Sequence, residues 1–296
     1  MVNVFKGLFS RIKKAGEFWS YGSYFESEWI SPHSPFLTSA GLYLLYRLII
    51  WLFIITNFMT HIIIGTFMLE RSIIVTFSFL TIQSMAIVNI YFTLELILAL
   101  VYFINKNKIR SNFYLRSKEA PSRVPLWVRA KGALGNVAIV SAFTVTLLYW
   151  SLLYSFDGQG PTYTNIFIHG LNSVVCLIDL FVIERGISIY QVYQPIIFTL
   201  WYILFSLFYH LAGGKNHDGD PYIYPILDWR KPGVALTVAL IGAVAVTINH
   251  CLVFLFYKLR RYIRIVLLGN SKTKEESEFT SKNPVQTTNY EDKLRY

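Results

Sequence analysis

The chain alternates between long apolar stretches and short polar connections. A helix needs about 20 apolar residues to cross the hydrocarbon core of a bilayer. Six stretches qualify: Leu44–Phe67, Ile73–Ile104, Ala133–Ser155, Tyr163–Ile183, Val192–Leu211 and Gly233–Tyr257. The proline before the last stretch, Pro232, is typical of a helix start. The pattern therefore predicts an all-α membrane protein, a bundle of six transmembrane helices.

Lysine and arginine are concentrated in three segments that flank these stretches, residues 6–14, 106–131 and 258–264. An even number of spans places all three segments on the same side of the membrane. Because positive loops stay in the cytoplasm, the pattern predicts that the N- and C-termini are cytoplasmic. Arg47, near the start of the first span, is expected to snorkel to the same inner surface.

Composition agrees with a membrane protein, with 54% apolar and only 15% charged residues. The net charge of +10 lies mostly in the basic segments, which favours contact with anionic headgroups and argues against nucleic acid as a partner. The pattern divides the chain into a cytoplasmic amphipathic segment (residues 1–36), the six-span membrane domain (37–266) and a disordered cytoplasmic tail (267–296).

Two polar residues lie at similar depth in different spans and are the strongest candidates for chemistry. Thr81 of the second span and His169 of the fourth both lie roughly 10 Å below the predicted outer boundary. Because hydrocarbon offers them no water, each needs a partner or a chemical role. Ser84 and Asn172 lie one helical turn away and could support them. If the two spans are neighbours, a hydroxyl and an imidazole meet, which suggests acyl chemistry on a lipid. The structural alternative is hydrogen bonding between helices.

Two other chemistries use the remaining polar residues. His61, His169 and His210 fall near the outer side, which would allow one b-type haem between helices. His217, with Asp218 and Asp220 in the loop between the last two spans, could hold a metal, although a solvated turn is the simpler interpretation. The favoured interpretation needs neither a cofactor nor a metal.

Several short elements together resemble the rolling stone family of multi-pass membrane proteins. The specific element runs from Tyr209 to Gly233 and contains Tyr-Ile-Tyr-Pro-Ile-Leu-Asp-Trp-Arg-Lys-Pro-Gly. Leu80-Thr81, Leu148-Tyr-Trp150, and His169 with Asn172 fit the same pattern. The resemblance implies a multi-pass protein associated with membrane adhesion and myoblast fusion.

The rolling stone family is distantly similar to the androgen-induced and androgen-dependent membrane hydrolases, which cleave fatty-acid esters of hydroxy fatty acids. That similarity implies Thr81 as the nucleophile and His169 as the general base. The residues after Thr81 are Ile-Gln, where rolling stone members typically have Asn-Trp. We therefore carry two hypotheses forward. The first is a lipid-ester hydrolase in the plasma membrane or endoplasmic reticulum, and the alternative is a non-enzymatic protein of adhesion or fusion.

Overall fold

The computed structural model describes residue 37 and residues 39–116, 126–154, 162–183 and 185–282. The predicted amphipathic segment, residues 1–36, lies outside the described residues, as do residues 283–296 of the tail.

Helices make up almost all of the described chain. In chain order they are α1 (Ala40–Ile63), α2 (Ile73–Ser78), α3 (Leu80–Arg116), α4 (Leu126–Leu148), α5 (Tyr163–Ile166), α6 (Asn172–Val182), α7 (Tyr193–Leu211) and α8 (Pro232–Lys282). Three π-helical turns continue or join them: Ile64–Met68, Tyr149–Leu153 and Phe167–Leu171. Two 3₁₀ turns, Ile189–Val192 and Pro225–Leu227, precede α7 and α8. No strand occurs in the described ranges, which confirms the all-α prediction.

Within the described ranges, five helical segments are long and apolar enough to span a bilayer: Ala40–Met68, Leu80–Asn105, Arg129–Leu153, Ile189–Leu211 and Pro232–Ile263. The predicted fourth span is a shorter apolar helix, Phe167–Val182, which continues from α5. Many large apolar side chains are exposed, as expected where helices face lipid, for example Leu240, Trp201 and Phe208. The chain is therefore a multi-pass membrane protein.

The second span is not the continuous helix that its apolar pattern predicts. It breaks at Phe79, whose backbone is extended (φ −74°, ψ 134°), so that α2 ends at Ser78 and α3 begins at Leu80. Side chains satisfy carbonyls near the break, because Gln83 Nε2 donates to the Phe77 carbonyl at 3.1 Å and the Tyr202 hydroxyl to the Ser78 carbonyl at 3.2 Å. Irregular backbone at membrane depth is tolerated only with such partners.

The chain divides into two compact units, residues 1–254 and 255–296, and α8 contributes to both. Within the second unit the helix continues to Lys282. The tail predicted to be disordered is thus helical over its first part, residues 267–282.

Buried charges tie four helices of the first unit together. Arg47 of α1 is only 1% exposed, and its guanidinium pairs with Glu95 of α3 and Asp179 of α6, each at 2.8 Å. Lys131 of α4 pairs with the second oxygen of Glu95 at 2.8 Å. We call these four residues the ion cluster. The expectation that Arg47 snorkels to the surface is wrong, because two carboxylates hold it inside.

Tyrosine hydroxyls complete the hydrogen bonding around the ion cluster. Arg47 Nε donates to the Tyr43 hydroxyl at 3.0 Å. Asp179 accepts from the Tyr46 hydroxyl at 3.1 Å and from the Tyr91 hydroxyl at 3.0 Å. Buried ions contribute stability only when their remaining donors and acceptors are satisfied in this way.

We expect Arg47→Met to destabilise the protein strongly, because it removes the ion pair of Asp179 and one of the two ion pairs of Glu95. Removing one partner of a buried ion pair typically costs about 3–5 kcal/mol. A thermal melt of the purified protein in detergent measures the loss. Arg129→Met, which removes an exposed arginine from α4, is the matched control and should change stability by less than about 0.5 kcal/mol. Equal melting temperatures for the two variants would contradict the structural role of the cluster.

Candidate functional site

Thr81 and His169 line one cavity of about 620 Å³, which we call the polar cavity. Its walls come from the end of α1, the three π turns, the break between α2 and α3, and residues 212–231. We call residues 212–231 the outer loop. The polar side chains that line it are His61, Arg71, Thr76, Thr81, Tyr149, Thr162, Asn165, His169, Asn216, His217, Asp218, Asp220, Tyr222 and Tyr224. The second and fourth spans are neighbours, since Ile82 and Met85 pack against Ile168.

All three described π turns contribute to the wall of the polar cavity. Gly65 belongs to the first, Tyr149 and Leu153 to the second, and Ile168 and His169 to the third. A π turn holds an extra residue in the helix and is frequently found at functional sites. No proline or polar run in the sequence marks these turns, so the hydrophobic pattern does not predict them.

Thr81 lies in the first turn of α3, where the backbone N–H groups have no helical partner. It is 8% exposed, at the floor of the polar cavity. The Tyr224 hydroxyl of the outer loop forms hydrogen bonds with the Thr81 side chain and with the backbone amides of Leu80 and Thr81. The Thr81 hydroxyl, two amide donors and a phenol are therefore gathered at the helix break.

His169 is held in place by aromatic residues of the second π turn. Its ring stacks on Tyr149 with centroids 3.6 Å apart and an angle of 6° between the planes. The Trp150 indole donates to the His169 carbonyl at 3.3 Å. The Leu148-Tyr-Trp150 element of the sequence thus fixes the ring plane and the backbone of His169. Sequence reasoning noted this element but assigned it no role.

The two residues expected to support the pair lie elsewhere. Ser84 donates to Ser141 Oγ of α4 at 2.9 Å, and Asn172 Nδ2 donates to the Ile168 carbonyl at 3.0 Å. Neither lines the polar cavity. Their hydrogen bonds are of the kind expected for packing between and within membrane helices.

The outer loop covers the polar cavity and is fastened at several points. The His217 ring stacks on Phe79 at 5.6 Å, directly beside the helix break. His210 Nδ1 lies 3.0 Å from the Pro221 carbonyl, and the Tyr209 hydroxyl donates to the Lys215 carbonyl at 2.8 Å. These contacts hold the first half of the loop against α7.

The second half of the outer loop is fastened to α7 and to itself. The Trp229 indole donates to Ser206 Oγ at 3.1 Å. Asp228 forms an ion pair with Arg230 at 2.8 Å. Since Tyr224 lies between these attachments, the loop positions its hydroxyl above Thr81.

Metal chemistry finds no support in the described part of the chain. No group of three or more His, Cys, Asp or Glu residues there is placed to hold a metal ion. Of the histidines considered for haem, His210 faces the Pro221 carbonyl, whereas His61 and His169 line the polar cavity.

Comparison with known proteins gives a family. The family model described as "Protein rolling stone" matches residues 22–269. The chain belongs to the rolling stone family. It is 34% identical over 131 residues to the protein rolling stone of Drosophila melanogaster, an alignment that covers 43% of this chain and 47% of that relative. The chain therefore matches about half the length of this curated relative. No solved structure matches the chain. The family resemblance stated from the sequence is confirmed.

The outer loop carries a pH-sensitive group. Burial, and to a lesser degree the positive charge of Arg71, lowers the pKa of His217 below its ordinary value of 6.5, while the Asp218 carboxylate opposes the shift. A depressed pKa means that folding favours the neutral ring. The stability that depends on the neutral ring is complete above about pH 6.5 and is lost as the pH falls through the lowered pKa.

We therefore expect the melting temperature of the wild type to fall between about pH 7.5 and about pH 5.5, and to fall less in His217→Gln. His61 also lines the cavity and interacts electrostatically with His217, so the difference between the two melting curves reports His217 together with that interaction. Parallel curves would show that the His217 ring does not stabilise the closed loop.

Proposed function

We propose that this rolling stone family member is a membrane hydrolase of lipid esters, with Thr81 as nucleophile and His169 as general base. The observation that carries the proposal is that these two side chains line one polar cavity of the membrane bundle. A hydroxyl and an imidazole are the minimum needed to activate an oxygen nucleophile. We assign its location to the plasma membrane or the endoplasmic reticulum.

In the first step the His169 imidazole takes the proton of the Thr81 hydroxyl, and the Thr81 oxygen attacks the ester carbonyl carbon. The tetrahedral intermediate then collapses. Its ester C–O bond breaks, the alcohol leaves with the proton from His169, and the acyl group remains bonded to Thr81. Stacking on Tyr149 holds the imidazole plane throughout, which limits the reorganisation that each proton transfer requires.

Hydrogen-bond donors at the break before α3 could stabilise the negatively charged oxygen of the tetrahedral intermediate. The amides of Leu80 and Thr81 lie at the positive end of the helix and already reach the Tyr224 hydroxyl. Burial raises the pKa of Tyr224 above its ordinary value of 10.0, so its hydroxyl stays protonated and can donate. When a substrate carbonyl oxygen enters, these groups become its hydrogen-bond donors.

A second half-reaction regenerates the protein. His169 takes a proton from water, whose oxygen attacks the acyl carbonyl carbon. The bond between the acyl group and Thr81 then breaks, the fatty acid leaves, and Thr81 recovers its proton from His169. Water can reach the site because the cavity is lined by side chains of the outer loop, of which Asp218 is exposed.

A second cavity supports a substrate that comes from the bilayer. It has a volume of about 640 Å³ and is lined mainly by α1 and the third π turn, including Leu52, Phe53 and Phe167. It adjoins the polar cavity, since His61, Gly65, Leu69, Arg71 and Ile168 line both. An apolar space beside the polar cavity suits a lipid better than a water-soluble ester.

We expect Thr81→Ala and His169→Gln to lower ester turnover by at least about a hundredfold, the scale of a lost nucleophile or general base. Turnover of a fluorogenic ester and labelling by a fluorophosphonate probe, both on detergent-purified protein, measure the effect. Thr81→Ser keeps a hydroxyl and should retain labelling. Ser84→Ala removes a nearby hydroxyl outside the cavity and should behave like the wild type. If Thr81→Ala kept full turnover while its melting temperature was unchanged, the nucleophile assignment would be wrong.

We expect Tyr224→Phe to lower kcat by about tenfold to a hundredfold with little change in KM, because a donor to the oxyanion acts mainly in the transition state. The same kinetic measurement tests it. The control is Tyr222→Phe, which removes a hydroxyl from the same loop and the same cavity wall. A rise in KM without a change in kcat would instead assign Tyr224 to substrate binding.

Family membership also favours a second candidate, a role in membrane adhesion or myoblast-type fusion through the outer loop. Exposed side chains of this loop include Lys215, Asp218 and Arg230. Replacing these three by alanine should abolish fusion in a cell-based assay, whereas Thr81→Ala should leave it intact. The reverse result would favour the hydrolase.

A further inference from the structure

We propose that a third cavity, which lies beside Thr81 and which we call the apolar cavity, is the acyl-chain site, and that it selects short acyl groups. The inference rests on the proposed hydrolase function. The cavity has a volume of about 100 Å³ and shares Thr81, Tyr149, Leu153 and Tyr224 with the polar cavity. Thr81 therefore stands at the junction of one polar and one apolar space. When the carbonyl carbon of an ester lies at Thr81, the apolar cavity can hold its acyl chain and the polar cavity its alcohol part.

The apolar cavity offers little to a polar ligand. Its three hydroxyl side chains besides Thr81 and the tyrosines all donate to their own helices. Ser141 donates to the Ala138 carbonyl at 3.1 Å, Thr144 to the Val140 carbonyl at 2.8 Å and Thr199 to the Pro195 carbonyl at 2.9 Å. The rest of the wall is aliphatic or aromatic, as at Leu148, Phe198 and Val238. The acyl chain, and not the polar end of a lipid, fits such a surface.

The volume limits the length of the chain. A cavity of about 150 Å³ admits the six carbons of benzene. In proportion, the apolar cavity admits about four carbons without rearrangement of its walls. The site therefore suits a short acyl group, and a longer chain must displace side chains in a membrane core that is otherwise packed.

Gly242 of α8 marks the wall where this limit can be changed. It lines the apolar cavity, and a Cβ atom added to it would meet no atom within 4 Å. A side chain at this position therefore enters open space and needs no movement of the backbone. Two residues further along α8, Val244 is 59% exposed and does not line the cavity, so it provides a control on the same helix.

The experiment measures kcat/KM of detergent-purified wild type, Gly242→Leu and Val244→Leu for p-nitrophenyl acetate, butyrate, hexanoate and decanoate. The wild type should prefer butyrate. Gly242→Leu should lower kcat/KM for butyrate and longer esters by about tenfold or more, since each methylene excluded from an apolar site costs about fourfold. Its activity on acetate should stay within about twofold. Val244→Leu should keep the wild-type profile.

Two results would overturn the acyl-chain site. One is wild-type activity that increases steadily to decanoate, and the other is an equal loss on all four esters in Gly242→Leu. A melting temperature for each variant, with Gly242→Ala as the smaller change, separates misfolding from altered selectivity. Thr81→Ala separates the two proposals. If it retains turnover, the hydrolase and the acyl-chain site fall together, whereas Thr81-dependent turnover without chain-length selection rejects the acyl-chain site alone.

Discussion

The structure depends on placing charged groups where water cannot reach them. Arg47, Glu95, Lys131 and Asp179 satisfy one another, and three tyrosine hydroxyls satisfy what remains. In hydrocarbon the loss of any one partner leaves a bare ion, so the four helices that carry the cluster are fixed at that depth. Glu95 lies fourteen residues beyond Thr81 on α3, which corresponds to about 21 Å along the helix. The polar cavity and the ion cluster are therefore separate polar regions of one bundle.

The ion cluster holds the helices together at one depth of the bundle, whereas the helices are irregular around the polar cavity. The three π turns and the break at Phe79 all border the polar cavity. Each irregularity costs backbone hydrogen bonding that a straight helix would have kept. The outer loop replaces part of this hydrogen bonding, because the Tyr224 hydroxyl accepts hydrogen bonds from the amides at the start of α3. Loop and break therefore form one polar structure although they are far apart in sequence.

Much of the fold could be predicted from the sequence, and the reasons are physical. Long apolar runs have few solutions other than membrane helices, and all six predicted stretches contain apolar helix. The second, however, breaks at Phe79, and the fourth is shorter than the other spans. Counting residues along the helices also singled out Thr81 and His169, which line one cavity. Both predictions follow from backbone geometry that every sequence shares.

What the sequence concealed depends on side-chain partners in three dimensions. Arg47 looks like a snorkelling residue until Asp179, 132 positions away, is placed beside it. Ser84 and Asn172 have the right spacing to support Thr81 and His169, yet each forms its hydrogen bond with another residue. The break at Phe79 lies within an ordinary apolar stretch, and the neighbouring residues do not distinguish this stretch from one that forms a continuous helix. Long-range pairing therefore decided the positions of Arg47 and Ser84, whereas Asn172 bonds one turn back along its own chain segment.

The π turn at Phe167–Leu171 helps to set the orientation of the ion cluster relative to the polar cavity. His169 lies inside this turn and Asp179 lies in α6 just beyond it. Each residue of an α-helix rotates the chain by about 100°. A π turn accommodates one residue more than the α-helical turn it replaces. Deleting one residue from it would let it relax into ordinary α-helix and leave α6 in nearly the same orientation, so that Asp179 would still face Arg47. A deletion within α6, between the turn and Asp179, would instead rotate Asp179 by about 100° and break the ion cluster.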